Sequence, residues 1–550
     1  MVVHCRVARQ GLRLLKVAWS WTPFPPKHRP ATAILGLAFS GYTTRKHKTW
    51  VSLCQMFSPL LRNSMTRSAA RTAAQRAGAI RRHIMSTSSA AQAEESTVKF
   101  ESTGSLRTYV LNRPAKLNAL DESMLSILRP KIEEWNRSEL CGTIVGRGEG
   151  RAFCAGGDVA SVVENTKNPQ TVPAAVDYFK REFEMDYILA ATKKPYVAIM
   201  DGFTMGGGVG LAANAPFRVA TEKTRLAMPE TKIGYFPDVG ASFFLSHMDG
   251  ETGTYLALTS ERLSGRAVFE HGFATHYIPS RRIPMLLDRL AELDKPHPSV
   301  IDRTIEDLSA EREPGEPSPP FVGSVRVALD YAFRHNNVEM IMADLRALTE
   351  ASEDANVKAW ALTTLETLQT RSPTSLKVAL EAVRRGKKMT LLQALEMELK
   401  IATAFCRGAS PDFVTGVEAV LLAKSKETPQ WSPSSLKEVT PAIVSRFFDS
   451  KSTYLEGAPT ITIPDGLDPK EKTNPMRYAL PTENEIGAVV RGQHPSGGDM
   501  GLQLNELLTR FAELRPGKMG VKEKVLEVVE RRCELVDNAD QNRVWLKWKH

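Results

Sequence analysis

The sequence predicts an α/β domain followed by a helical region, and three observations carry that reading. From about residue 98 to 310, short strand-like runs alternate with stretches of helical spacing, the pattern of an α/β core. From Val322 to Leu422 apolar residues recur at three and four positions almost without a break, as in consecutive helices. Between them, Glu311 to Pro320 (EREPGEPSPP) has the proline and charge content of a linker.

The elements follow in order. Leu106 to Leu111 (LRTYVL) is strand-like and ends at the turn-forming Asn112-Arg113-Pro114. From Asp121 to Trp135 the residues Met124, Leu125, Leu128, Ile132 and Trp135 share one helix face. Cys141 to Val145 is a second strand, stopped by Gly146-Arg147-Gly148. Tyr196 to Met200 (YVAIM) is a third, followed by Asp201-Gly202, a glycine-rich turn and a helix over Val209 to Ala213. In the helical region the spacing predicts helices over Val338–Leu348, Val357–Leu368, Leu376–Val383 and Leu391–Phe405. Lys424 to Ser434 and Gly457 to Pro469 form further breaks, and two more helices are expected at Leu502–Leu514 and Val521–Leu535. The division is therefore 1–90 as a leader, 98–310 as the α/β core, 321–440 as the helical region and 441–550 as an extension with about two helices.

The formal charge of +10 is unevenly placed. Residues 1–93 contain 15 Lys and Arg and no Asp or Glu, which leaves 57 basic against 62 acidic residues in the remainder. The body is mildly acidic, so bulk charge gives no reason to expect a phosphate-backbone binder. The acid-free opening, rich in Arg, Ser and Ala, reads as a mitochondrial presequence cut near Arg82 to Ser86, with Met56 or Met65 as an alternative start. The expected compartment is the mitochondrial matrix. The longest early apolar run, Ala31 to Ser40, is too short for a membrane span, and no membrane partner is expected. Six scattered cysteines contain no C-x-x-C pair, which argues against a disulfide framework or zinc site. His271 and His276 lack neighbouring ligand residues, so no metal is expected.

Three stretches carry the chemistry: Ala152-Phe153-Cys154-Ala155-Gly156-Gly157-Asp158, Asp201 to Gly210 (DGFTMGGGVG), and Ala227-Met228-Pro229-Glu230 with Phe236-Pro237-Asp238-Val239-Gly240. Acyl transfer from a thioester places negative charge on the carbonyl oxygen, and backbone N–H groups stabilise it well. Glycine lets that backbone approach closely, and a glycine run opening a helix sets its donors at the positive end of a dipole. The spacing G-G-G-x-G does not fit a dinucleotide fingerprint, and no phosphate-loop Lys follows. Outside this pattern Glu230 would read as a solvated carboxylate, Asp238 as a turn or cap residue, and Cys154 as small packing.

Together with Leu111-Asn112-Arg113-Pro114 and Leu117-Asn118-Ala119-Leu120, these motifs resemble the crotonase (enoyl-CoA hydratase/isomerase) superfamily from about Phe100 to Leu293. That resemblance implies a spiral core of ββα units. It also implies a thioester oxygen held between the N–H groups of Gly157 and Gly207, and a coenzyme A-contacting loop at Asn118 and Ala119. The superfamily's hydratases use two glutamates; the first falls on Gly210 here, the second on Glu230. The Asp238 position, Glu182 ahead of Lys194-Pro195-Tyr196-Val197-Ala198, Ser372 to Lys377 and Trp431-Ser432-Pro433 resemble the 3-hydroxyisobutyryl-CoA hydrolases.

Within that resemblance Glu230 attacks the carbonyl or acts as general base for water. Asp238 holds the substrate hydroxyl or positions water and proton, and Glu182 binds the hydroxyacyl end. No cofactor beyond the coenzyme A of the substrate is implied. Fungal relatives include components of the mitochondrial ribosomal small subunit, and the extension resembles theirs, which makes that particle a candidate partner. Its basic-aromatic end, Trp545 to Lys549, reads as a surface helix terminus packed on its own domain.

Overall fold

A computed structural model describes residues 96–467, 474–495, 501–538 and 543–549; the leader lies outside them. Six strands form the larger sheet in the order β1 (Val98–Thr103), β2 (Leu106–Leu111), β3 (Thr143–Gly148), β5 (Tyr196–Met200), β7 (Phe217–Ala220) and β10 (His276–Tyr277). Only β1 and β2 pair antiparallel; the rest of the sheet is parallel. A smaller sheet runs β4 (Ala152–Cys154), β6 (Phe203–Met205), β8 (Arg225–Ala227) and β9 (Leu263–Ser264).

The chain therefore alternates between sheets, β3 to β4, β5 to β6 and β7 to β8, and each step turns the spiral once. Parallel strands need crossovers, and here helices supply them, Glu122–Arg137 between β2 and β3 and Val172–Ala191 between β3 and β5. β5 is buried along its whole length, which explains its unbroken apolar sequence. The Tyr196 hydroxyl donates to Leu211 O at 2.9 Å and lies 2.6 Å from the Tyr109 hydroxyl. That contact ties the glycine-initiated helix Gly207–Ala213 to the sheet. The Glu122–Arg137 helix buries the five residues its spacing predicted, and Asp121 caps it by accepting from Met124 N at 2.9 Å.

Five long helices follow at Gly323–Phe333, Val338–Ala351, Ala355–Gln369, Pro373–Gly386 and Leu391–Cys406. The last packs along the core helix Val172–Ala191, so the helical region shares one apolar core with the spiral. Residues 311–320 contain no helix or strand. They are held by Arg266, which pairs with Glu316 at 2.7 Å and stacks on Tyr277.

The extension differs from expectation. Its described residues hold helices at Pro441–Ser445, Glu483–Val490, Leu504–Leu514 and Val521–Arg532. They also hold a β-hairpin of β11 (Cys533–Asn538) and β12 (Arg543–Trp548). The end read as a helix terminus is a strand, and the last predicted helix stops three residues early. The hairpin is not isolated: Leu546 N donates to Leu502 O at 2.9 Å, and Gly487 packs against Trp548. Among the described residues no helix is long and apolar enough to cross a membrane. Cys141, Cys154, Cys406 and Cys533 are buried free thiols.

Candidate active site

The site is assembled at the ends of the small-sheet strands. Gly156 and Gly157 follow β4, Gly206 and Gly207 follow β6, and Glu230 follows β8 after Met228-Pro229. Gly157 is bridged to Leu120, with Leu120 N donating to Gly156 O at 2.8 Å and Asp158 N to Leu120 O at 2.7 Å. The Gly157 segment is thereby fixed on both sides. Gly207 is the first residue of its helix, so its N–H has no acceptor within that helix.

The closeness of these pieces can be read from the space a methyl group would need. A Cβ on Gly207 would lie 2.0 Å from Glu182 Oε1 and 3.4 Å from Gly157 N. A Cβ on Gly206, whose φ is +48°, would lie 3.0 Å from Glu230 Oε1 and 3.5 Å from Gly156 Cα. Both glycine amides, Glu182 and Glu230 therefore meet at one point, and glycine is required there for close approach.

Five carboxylates are buried around that point. Glu182, Asp186, Glu230, Asp238 and Glu398 are each no more than 5% exposed. Glu182 and Asp186 project from one face of the 172–191 helix at i and i+4. Glu182 Oε1, Glu230 Oε2 and both Asp186 oxygens accept no hydrogen bond from the protein. Burial is the main reason that Glu230 is pushed up to about 8, and the nearby Glu182 adds to it. Asp238 is raised well above the usual carboxylate range, by burial first and then by Glu182, Glu230 and Glu398. Such a cluster, unscreened and proton-retaining, suits acid–base work and is costly as mere packing.

Gly210, expected from the resemblance to stand at the hydratases' first glutamate position, is closely enclosed. A Cβ there would lie 2.6 Å from both Asp186 Oδ2 and Val239 Cβ. That space is already filled, so a longer side chain at 210 would displace Asp186 or Val239.

Asn118 and Ala119 sit differently from the carboxylates. Asn118 is fully buried with φ +58°; its side chain accepts from Arg113 N at 2.8 Å and donates to Glu149 O and Ala152 O. Its amide is thus spent on shaping the loop, and Ala119 O accepts from Arg113 Nη1 at 2.6 Å. Cys154 is buried, and its thiol is pushed up to about 12, which suits packing and not nucleophilic attack. His276 lies 3.1 Å from Asp302 and 3.3 Å from Glu306, while burial drives His271 down to about 3. Among the described residues no group of three His, Cys, Asp or Glu side chains is placed to hold a metal ion.

Sequence reasoning missed Asp186 and Glu398. Asp186 was within reach, four residues after Glu182 on a helix. Glu398 was not, because its contacts to Ser242 span 156 positions. A separate cavity of about 1210 Å³ lies between Arg266–His271 of the core and Gly517–Lys524 of the extension, and none of the five carboxylates lines it.

A ββα spiral presenting two glycine amides to buried carboxylates is the construction of a crotonase-type core. Residues 106–448 match the enoyl-CoA hydratase/isomerase family, and the chain belongs to that family. It is 40% identical over 451 residues to the small ribosomal subunit protein mS47 of Neurospora crassa, covering 80% of this chain and 86% of that protein. It is 37% identical over 358 residues to the mitochondrial 3-hydroxyisobutyryl-CoA hydrolase of Rattus norvegicus, covering 65% of this chain and 90% of that one. Among solved structures, a carnitinyl-CoA dehydratase from Mycobacterium thermoresistibile superposes with a TM-score of 0.57 at 32% identity. That match spans 64% of this chain and 96% of the other.

Proposed function

We propose that the protein is a mitochondrial hydrolase that cleaves 3-hydroxyisobutyryl-CoA, and 3-hydroxypropionyl-CoA as well, to the free acid and coenzyme A. One observation carries the choice of hydrolysis over hydration. Glu230 and Asp238 are retained in the pocket while the first hydratase position is Gly210, packed against Asp186 and Val239. The mitochondrial assignment rests on the acid-free leader and on relatives whose names place them there.

In the reading we favour, the N–H groups of Gly157 and Gly207 receive the charge that builds on the thioester oxygen. Removing one such donor typically costs about 3 to 4 kcal/mol of transition-state stabilisation. Glu230 as an anion attacks the carbonyl to give an anhydride that water then opens, or removes a proton from the attacking water. In both routes the carbon–sulfur bond breaks, the proton that the leaving thiolate takes up comes in net from the water, whose oxygen is added in forming the free acid, and Glu230 is regenerated as the anion. Asp238 holds the substrate hydroxyl or the water, and Glu182 receives the hydroxyacyl end. Label from ¹⁸O-water in the Glu230 carboxyl after a single turnover establishes the anhydride route, because the general-base route puts no water oxygen there.

The test of function is thiol release with 3-hydroxyisobutyryl-CoA, 3-hydroxypropionyl-CoA and an enoyl-CoA. Release is expected from the two hydroxyacyl substrates; hydration of the enoyl substrate without thiol release would reverse the assignment. A second reading, a component of the mitochondrial ribosomal small subunit, is favoured by the reach of the mS47 match. That match covers 80% of the chain, against 65% for the rat hydrolase, and so must take in residues beyond the catalytic family segment. Co-sedimentation of the organelle protein with small subunits would support this role. Free sedimentation at low salt would remove it.

A further inference from the structure

The catalytic pieces come from the spiral core, but a carboxylate from the helical region reaches into their midst. Glu398 is fully buried on the 391–406 helix. Its side chain accepts from Gly240 N at 2.6 Å, Ser242 N at 2.8 Å and the Ser242 hydroxyl. These donors open the four-residue helix Ala241–Phe244, directly after Asp238 and Val239.

That turn is strained. Val239 has φ +55°, a region β-branched residues avoid, and such a conformation persists only where the surroundings hold it. Asp238 O accepts from Ala241 N at 2.8 Å, so the backbone closes one side of the turn and Glu398 holds the other. A simple cap would not require a charge. Ser, Thr or Asn caps a helix locally, whereas no local side chain caps this one. A carboxylate is brought instead from another region into an interior that already holds four others, at a desolvation penalty.

We propose that Glu398 is a positioning residue of the hydrolytic site: by clamping Gly240 and Ser242 it maintains the strained Val239 turn and aims Asp238 toward Glu230. The helical region then completes the catalytic unit. Asp238 is faced by Glu182 from the 172–191 helix, by Glu230, Tyr235 and Tyr178, by Cys406, and by Glu398. Burial pushes Glu398 up to about 7, so it adds negative field at Asp238 only where it is ionised, above that pH. The inference rests on the hydrolase reading.

The test is Glu398→Gln, which keeps size but offers one acceptor oxygen where two N–H groups must be served. We expect kcat for 3-hydroxyisobutyryl-CoA to fall about 10- to 100-fold, as for a misplacement near 1 Å, with KM within twofold. The double variant Asp238→Asn/Glu398→Gln is no slower than Asp238→Asn alone, since Glu398 acts through Asp238. Wild-type kcat in folded Glu398→Gln, or additive losses in the double variant, would overturn the inference. Should Glu398→Gln fail to fold, Ser242→Ala removes one of the three hydrogen bonds, with a few-fold loss in kcat alone expected and an unchanged kcat contrary. If the wild type releases no thiol, the functional reading fails, and a crystal structure of Glu398→Gln decides the positioning role: a displaced 238–242 turn supports it and an unmoved turn refutes it.

Discussion

At the scale of single residues, the site depends on carboxylates kept out of water. In the proposed mechanism Glu230 acts as an anion, and burial raises it to about 8 from an ordinary 4.5. The rate constant kcat/KM is therefore expected to climb as pH rises through about 8, and a limb near pH 4 to 5 would contradict the burial argument. The same shift has a stability consequence of the opposite sign. The folded chain holds the Glu230 proton to about pH 8, whereas the unfolded chain releases it near 4.5. The stabilisation is fully present below 4.5 and is lost as pH rises through 8, at about 1.4 kcal/mol per pH unit inside that window. Glu230→Gln should thus be nearly inactive yet melt several degrees above wild type at pH 8.5, with the gap closing at pH 5. A lower melting point at pH 8.5 would show that Glu230 is stabilised as an anion. The sequence offered Glu230, Asp238 and Glu182 through motif position, and it offered their chemistry only through resemblance. What it could not offer was their burial, because that depends on the helices Pro373–Gly386 and Leu391–Cys406, remote in sequence.

At the scale of elements, glycine placement decides what the strand ends can do. Gly207→Ala would put a methyl group 2.0 Å from Glu182 Oε1, displacing either the carboxylate or the first turn of the helix that carries the amide. A loss of at least about 100-fold in kcat is expected, comparable to losing one oxyanion donor. Gly210→Glu restores the residue type of a hydratase but drives it into Asp186 and Val239. The expected outcome is a lower Tm with no gain of enoyl-CoA hydration; a folded, hydrating variant would show that packing does not enforce the chemistry.

The core elements were readable because their periodicity and burial agree. YVAIM is a buried parallel strand, and the five apolar positions of the 122–137 helix are its buried face. The C-terminal end was misread for a physical reason. Val521 to Leu535 keeps helical spacing to its last turn, and only pairing with Arg543–Trp548 makes Cys533 onward a strand. Strand preference of this kind is set by neighbours more than by the segment itself.

At the scale of the whole molecule, the extension is clamped to the body by buried charge. Glu483 accepts from Arg531 at 3.0 Å and Arg326 at 3.3 Å, and also from Arg532, while Lys524 pairs with Asp249 at 2.7 Å. Arg218, wholly buried, donates to Pro475 O at 2.7 Å and to two core carbonyls. Glu483→Ala removes the carboxylate shared by Arg326, Arg531 and Arg532, which keep Asp330 and Glu527 as partners, and should cost about 1 to 3 kcal/mol, read as a lower Tm. KM and kcat at 25 °C should not change, since Glu483 touches none of the catalytic carboxylates; a changed kcat would tie the extension to the chemistry. None of this architecture was legible beforehand, because its partners lie far apart in sequence.

The most direct measurement is a crystal structure of Glu230→Gln with 3-hydroxyisobutyryl-CoA bound. The thioester oxygen should lie about 3 Å from both Gly157 N and Gly207 N, with the acyl hydroxyl among Glu182 and Asp238. A thioester seated elsewhere, for instance in the cavity beside His271 and Lys524, would contradict the account.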